Sequence, residues 1–257
     1  MKLAIQSRKN QKIVVIVDKS LDSKGLAFVM HGLGGFKEQK HITAMAQAFI
    51  ESGYTAVRFD ARNTVGESEG SYLEATVTSY YEDLEDVISW ASEQEWYREQ
   101  FILAGHSIGG LCVAVYAERY PDKVNALAPI STTVSGELSL AARNPEELEE
   151  YERTGFWTRE SKSRKGVMLT LKWQQWKQDL LTYDLLKSAK KLTMPTILIV
   201  GSEDVSSPVA QQRLLYGRLP GKKELCILKG SDHNFREEKH LLELKRILSD
   251  WLMSLGP

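Results

Sequence analysis

The chain has 257 residues, of which 42% are hydrophobic and 26% charged, with 33 Lys and Arg against 34 Asp and Glu. That balance describes a folded globular protein with a substantial core and excludes the strongly basic surface that nucleic acid or an anionic membrane requires. No apolar run approaches the roughly 20 residues of a membrane span, and the opening MKLAIQSRKNQKIVV lacks a signal-peptide core, so a cytoplasmic location is expected.

In chain order, KLAIQS and KIVVIVD read as two strands joined by a tight polar turn at Lys9-Asn10-Gln11. With no helix between them, they are expected to form an antiparallel edge. LAFVMHG (Leu26–Gly32) reads as a buried strand ending in a Gly-rich turn. A helix follows from about Gln39 to Ser52, with Ile42, Met45, Ala46, Phe49 and Ile50 at helical spacing and Gly53 as its stop. TAVRFDA is the next strand, and Thr78 to Glu95 the next helix, with Tyr81, Leu84, Val87, Ile88 and Ala91 on one face. FILAG and LCVAVYAERY give strand and helix again, closed by Pro121. VNALAPIS, PTILIVG and ELCILKG are further strands, and Phe235 to Leu255 a final helix. Continuous apolar strands alternating with amphipathic helices imply an α/β fold, with a mostly parallel central sheet covered on both faces. The charged, aromatic-rich stretch at about 133–193 interrupts this rhythm. It is expected to be a small cap inserted over the carboxyl end of the sheet, where α/β ligand sites lie, within one domain spanning 1–257.

Gly105-His106-Ser107-Ile108-Gly109 ends an apolar strand and opens a helix, the setting of a strained turn that holds a serine hydroxyl out of the fold. Crowded backbone on both sides demands small residues two before and two after the serine. A serine hydroxyl is a poor nucleophile at neutral pH, so it requires a base, and the base requires an orienting acid. Both follow late strands: Asp204 in PTILIVGSEDVSSP and His233 in ELCILKGSDHNF. Glu203 adjoins Asp204 as a rival, with the poorer offset to Pro208. Asp232 reads as a loop or capping residue. His31 and His106 are expected to shape the two glycine turns, and His41 and His240 fall within helices. The second glycine turn, His31-Gly32-Leu33-Gly34-Gly35, supplies inward backbone N–H groups. The Leu33 and Ile108 amides are therefore the expected oxyanion donors. The five histidines make no paired metal-ligand spacing, and Cys112 and Cys226 make no CxxC, so no metal or cofactor is expected and both thiols read as buried.

The motifs HGLGG, RFDARNTVGESEG, GHSIGG, GSEDVSSP and GSDHNF, in that order, resemble the α/β-hydrolase superfamily along nearly the whole chain. Within it they are most similar to the small esterase and serine-aminopeptidase-like branch, which includes cinnamoyl (feruloyl) esterases. The resemblance implies an α/β-hydrolase fold with Ser107 as nucleophile, His233 as general base and then acid, and Asp204 as its orienter. Asn63-Thr64-Val65 replaces the Gly-His pair usual in the family, which implies an altered acyl-pocket wall.

A serine esterase acting on small to medium carboxylic esters is the expected activity, with a small-molecule ester as partner and a monomer or homodimer as the assembly. Peptidase, acyltransferase or thioesterase, and slow-turnover receptor remain the alternatives. Phe156, Trp157, Trp173 and Trp176 are candidates for an aromatic substrate lining; Trp173 and Trp176 share one helical face. Arg159, Lys162, Arg164 and Lys165 read as a solvated basic turn, with binding of an anionic substrate as the alternative.

Overall fold

A computed structural model describes residues 1–20 and 22–256. Among the described residues ten strands run along the chain: β1 (Lys2–Gln6), β2 (Lys12–Asp18), β3 (Gly25–Met30), β4 (Tyr54–Phe59), β5 (Phe101–His106), β6 (Val124–Ile130), β7 (Phe156–Glu160), β8 (Met168–Lys172), β9 (Thr196–Gly201) and β10 (Lys223–Leu228). All but β7 and β8 share one sheet in the order β1-β2-β4-β3-β5-β6-β9-β10. β1 and β2 pair antiparallel, β2 meets β4 antiparallel, and every other pairing in that sheet is parallel.

Two cores explain the unbroken apolar runs of the central strands. Leu26, Phe28 and Met30 of β3 point to one face, and Ala27 and Val29 to the other. The second face is covered by α1 (Lys40–Glu51) and α9 (Glu238–Ser254), through Ile42, Met45 and Phe49 against Leu244, Leu248 and Trp251. The first is covered by α2 (Val77–Ser92) and α3 (Ile108–Arg119), whose Leu84, Val87 and Leu111 are fully buried. Thr76 starts α2 through a reciprocal cap with Ser79, and Gly53, at φ 84°, ends the turn after α1.

Between β6 and β9 the chain builds α4 (Gly136–Ala141), α5 (Pro145–Thr154), the antiparallel β7–β8 hairpin, α6 (Trp173–Leu180) and α7 (Leu185–Ser188). The hairpin has no counterpart in the sequence expectations. Its period of two shows in Leu169 and Leu171, which are buried beside the exposed Met168 and Lys172. A charged turn, Lys162 to Gly166, hides the signal. Tyr151, Trp157, Trp173 and Trp176 form one aromatic cluster here, with ring centroids 5.2 to 6.3 Å apart.

A further helix, α8 (Val209–Arg218), connects β9 to β10 and is also unexpected. Its inward face carries Gln211 and Gln212 beside Leu215, so it shows no apolar stripe. Gln211 donates to the Leu138 carbonyl and Gln212 to that of Thr132, both at 2.8 Å. Cys112 is buried, but Cys226 is only half-buried because β10 lies at the sheet edge, which corrects the expectation of two buried thiols. Among the described residues no helix is long and apolar enough to cross a membrane.

Candidate active site

Ser107 sits between the end of β5 and the first turn of α3, at φ 56° and ψ −118°. Such backbone conformations cost on the order of 1–3 kcal/mol and persist only where the surroundings impose them. Here they do. The Ser107 N–H donates to the Ile130 carbonyl at 2.9 Å, and its own carbonyl accepts from Leu111 N at 3.1 Å and Thr133 N at 3.2 Å. The neighbouring glycines are sterically required. A Cβ on Gly105 would lie 2.3 Å from the Gly109 carbonyl oxygen, and one on Gly109 would lie 2.4 Å from that of His31. One on Gly32 would touch the Ser107 Cβ at 2.9 Å. Three glycines thus let two turns close on one serine.

His233 follows β10 on the loop that leads to α9. Its Nδ1 lies 2.8 Å from Asp204 Oδ2, just beyond β9. The carboxylate accepts, so Nδ1 carries the proton and Nε2 is left as the free base. The second Asp204 oxygen accepts from the Ser206 and Ser207 N–H groups at 2.9 and 2.8 Å. Burial alone would raise the Asp204 carboxyl. The hydrogen bond and charge of His233, with the Ser207 N–H, outweigh it and hold the group below its ordinary value. Glu203, the rival acid, makes no bond to His233, and Asp232 caps its own loop by accepting from Asn234 and Arg236 N–H groups.

Ser107 and His233 line the same cavity. No hydrogen bond joins the serine hydroxyl to the imidazole among the described residues.

His106 does more than shape its turn. Its Nε2 lies 2.7 Å from the His233 carbonyl, so that nitrogen donates, and its ring packs against those of His233 and His41 at 4.7 and 4.3 Å. Burial, reinforced by the neighbouring histidines, pushes His106 well down and His41 down to about 3. Both rings are therefore neutral spacers under the His233 loop. Only the crossing of the β5 and β10 loops reveals this, which is why the sequence assigns His106 to its own turn.

The second glycine turn is held from behind. His31 Nε2 accepts from Ala61 N at 3.0 Å, so its Nδ1 donates to the Gly32 carbonyl at 2.8 Å. The Gly34 N–H donates to the Tyr80 hydroxyl, and Thr64 donates to the Gly35 carbonyl. Leu33 and Ile108 both line the cavity, and neither backbone N–H donates to a protein acceptor among the described residues. Thr64 braces this turn, and none of Asn63, Thr64 and Val65 lines the cavity, so the expected change to a pocket wall is corrected. The same loop folds onto buried Asp60, which accepts from Lys37 Nζ and from the Lys37 and Glu67 N–H groups, each at 2.7 Å.

The cavity measures about 500 Å³, within the range of small-molecule sites. Trp157 and Trp176 lie on its wall, with Arg143, Tyr151, Arg159 and Lys162. Trp173 does not. Its ring is fully buried and its indole N–H donates to Glu152 at 2.8 Å, so it is cap core and the expectation of a substrate contact is corrected. Phe156 is 46% exposed and points away from the cavity, because it alternates with Trp157 along β7. Arg143, Asn144 and Tyr151 were not expected at the site. They reach it because α4 and α5 fold back over the sheet. Among the described residues no cluster of His, Cys, Asp or Glu has the geometry of a metal site.

Comparison with known proteins places the chain in a family. The family model for serine aminopeptidase, S33, matches residues 22–153, just over half of the chain. The chain is 26% identical over 248 residues to palmitoyl-protein thioesterase ABHD10, mitochondrial, of Rattus norvegicus, covering 94% of this chain and 80% of that one. An uncharacterized 31.7 kDa protein of Escherichia coli is 27% identical, covering 78% of this chain and 80% of its own. The ferulic acid-bound structure of Est1E from Butyrivibrio proteoclasticus superposes with a TM-score of 0.82 at 20% identity, covering 98% of both chains. Alpha/beta hydrolase domain-containing protein 10 from mouse gives 0.80 at 22% identity, covering all of both chains. This protein is an α/β hydrolase and belongs to the serine aminopeptidase S33 family.

Proposed function

We propose that the protein is a serine hydrolase that cleaves small to medium carboxylic esters through an acyl-enzyme, with Ser107, His233 and Asp204 as its triad. The observation that carries this is the His233–Asp204 bond at 2.8 Å, facing the same cavity as a serine in a strained turn. Hydrogen bonds between such a serine and its base are often loose in unliganded sites and tighten with substrate.

In the reaction the Ser107 oxygen attacks the ester carbonyl as His233 Nε2 takes its proton. Asp204 holds the tautomer and offsets the imidazolium charge. The Leu33 and Ile108 N–H groups receive the oxyanion, each contributing roughly 10²–10³ in rate. The alcohol leaves with the proton from Nε2. Water, deprotonated by the same nitrogen, then releases the acid. Every step uses groups of this chain.

A thioester is the second reading, favoured by the 26% identity to a protein named a palmitoyl-protein thioesterase. The triad handles either acyl group, and the cavity volume favours short or folded acyl chains over a fully extended long one.

The test is a chromogenic ester series from acetate to decanoate, with methyl ferulate and matched acyl thioesters. Turnover that Ser107→Ala abolishes, with circular dichroism and Tm unchanged, is the expected result. Flat inactivity of folded wild-type protein across both series overturns the proposal.

A further inference from the structure

Buried cations elsewhere in this protein are paired. Lys37 Nζ meets Asp60 at 2.7 Å, and Arg62 Nε meets Asp83 at 2.5 Å. Two half-buried arginines on the cavity wall stand without a carboxylate partner among the described residues. Neither Arg143 nor Arg159 has a carboxylate oxygen within 4.0 Å among the described residues, and the Nε atom of each is buried without a hydrogen-bond partner. Their guanidinium carbons sit over the Trp157 ring, 4.0 and 5.3 Å from its centroid. Arg159 Nη2 donates to the Leu33 carbonyl at 3.2 Å, which fixes it one peptide from the proposed oxyanion donor. Lys162 joins them on the wall, also without a carboxylate oxygen within 4.0 Å among the described residues. Glu147, the one acid on this wall among the described residues, accepts from the Tyr151 hydroxyl at 3.3 Å.

A partly buried cation without an anion carries a desolvation cost that stacking on Trp157 and the Leu33 carbonyl bond offset only in part. Keeping two of them, oriented by one indole and opening on the cavity beside Ser107, makes sense when a ligand completes the pair. We propose that this wall is an anion subsite, and that the preferred substrate carries a carboxylate away from its scissile bond, bound by Arg143 and Arg159. The planar fork of each guanidinium matches a carboxylate, and Glu147 on the same wall disfavours a doubly charged phosphate. Burial pushes the Arg143 guanidinium below its ordinary value, and the Arg159 charge adds to it against the opposing pull of Tyr151 and Glu147. Arg164, whose guanidinium lies over Phe36, is outside the cavity.

The inference rests on the proposed hydrolase reading, so its test separates the two. Values of kcat/KM are compared for 4-nitrophenyl hydrogen adipate and its terminal carboxamide, and for 4-acetoxybutanoate and its carboxamide, covering either side of the ester. A preference of roughly 10- to 100-fold for the acid in one pair, carried mainly by KM, is expected. It should fall toward unity in Arg143→Met and in Arg159→Met and weaken with added salt. Turnover of both pairs with ratios near one overturns the subsite and leaves the hydrolase standing. If no ester is turned over, calorimetry of free adipate on Ser107→Ala decides independently: binding lost in Ser107→Ala/Arg143→Met supports the subsite, and absence of binding, or tighter binding of inorganic phosphate, overturns it.

Discussion

Ser107 occupies its unfavourable backbone conformation because three glycines let β5, α3 and the Gly32 turn meet without a single intervening Cβ. In the proposed mechanism the chemistry depends on which nitrogen of His233 is free, and the Asp204 carboxylate bonded to Nδ1 sets that. Its carboxyl is held below the ordinary value, so its contribution to stability is present above the unfolded-state pKa and is lost as pH falls through the folded one. Asp204→Asn should therefore lower kcat by roughly 10³–10⁴ and flatten the acid limb of the stability profile, measured by chemical denaturation from pH 3 to 7. An unchanged kcat would remove Asp204 from the mechanism. Among the tryptophans, composition alone could not sort wall from core. Trp157 and Trp176 line the cavity and Trp173 does not, and the difference is set by a strand and a helix packing at an angle that no local pattern encodes.

At the level of elements, local pattern and three-dimensional contact agreed where burial was two-sided or one face was apolar. The parallel strands announce themselves as unbroken apolar runs, and α1, α2 and α9 as stripes. α8 was silent because buried glutamines anchor it, and the β7–β8 hairpin because its exposed positions carry charge and aromatic residues together. One helix contact makes a separate prediction. Glu118 of α3 accepts from the Ser188 hydroxyl, at the end of α7, at 2.6 Å, and burial raises its carboxyl to about 7. A raised acid is protonated in the fold while the unfolded chain ionises, so stability declines as pH climbs from 4.5 through 7. Glu118→Gln keeps the acceptor and cannot ionise. Between pH 4.5 and 8 the wild type should lose about 1–2 kcal/mol that the variant retains, discounting for the solvent that reaches the group. Parallel profiles in urea denaturation would contradict this.

Across the whole molecule, the site exists because a parallel sheet delivers its carboxyl ends to one edge. β5 brings Ser107, β9 brings Asp204, β10 brings His233, and β3 brings the Leu33 turn. Their order along the chain was readable because each follows a recognisable strand. The cap wall was readable only in part: Trp157, Trp176, Arg159 and Lys162 stand out as candidates, but Arg143 and Tyr151 join them only through the folding back of α4 and α5. In the proposed mechanism Ser107 alone among the serines is activated, by an imidazole brought from 126 residues further along the chain. Fluorophosphonate labelling of the intact folded protein, read by peptide mapping, tests this. One label on Ser107, abolished in His233→Ala, is the predicted result. Folded protein that leaves Ser107 unmodified, or carries the label on another residue, would contradict it.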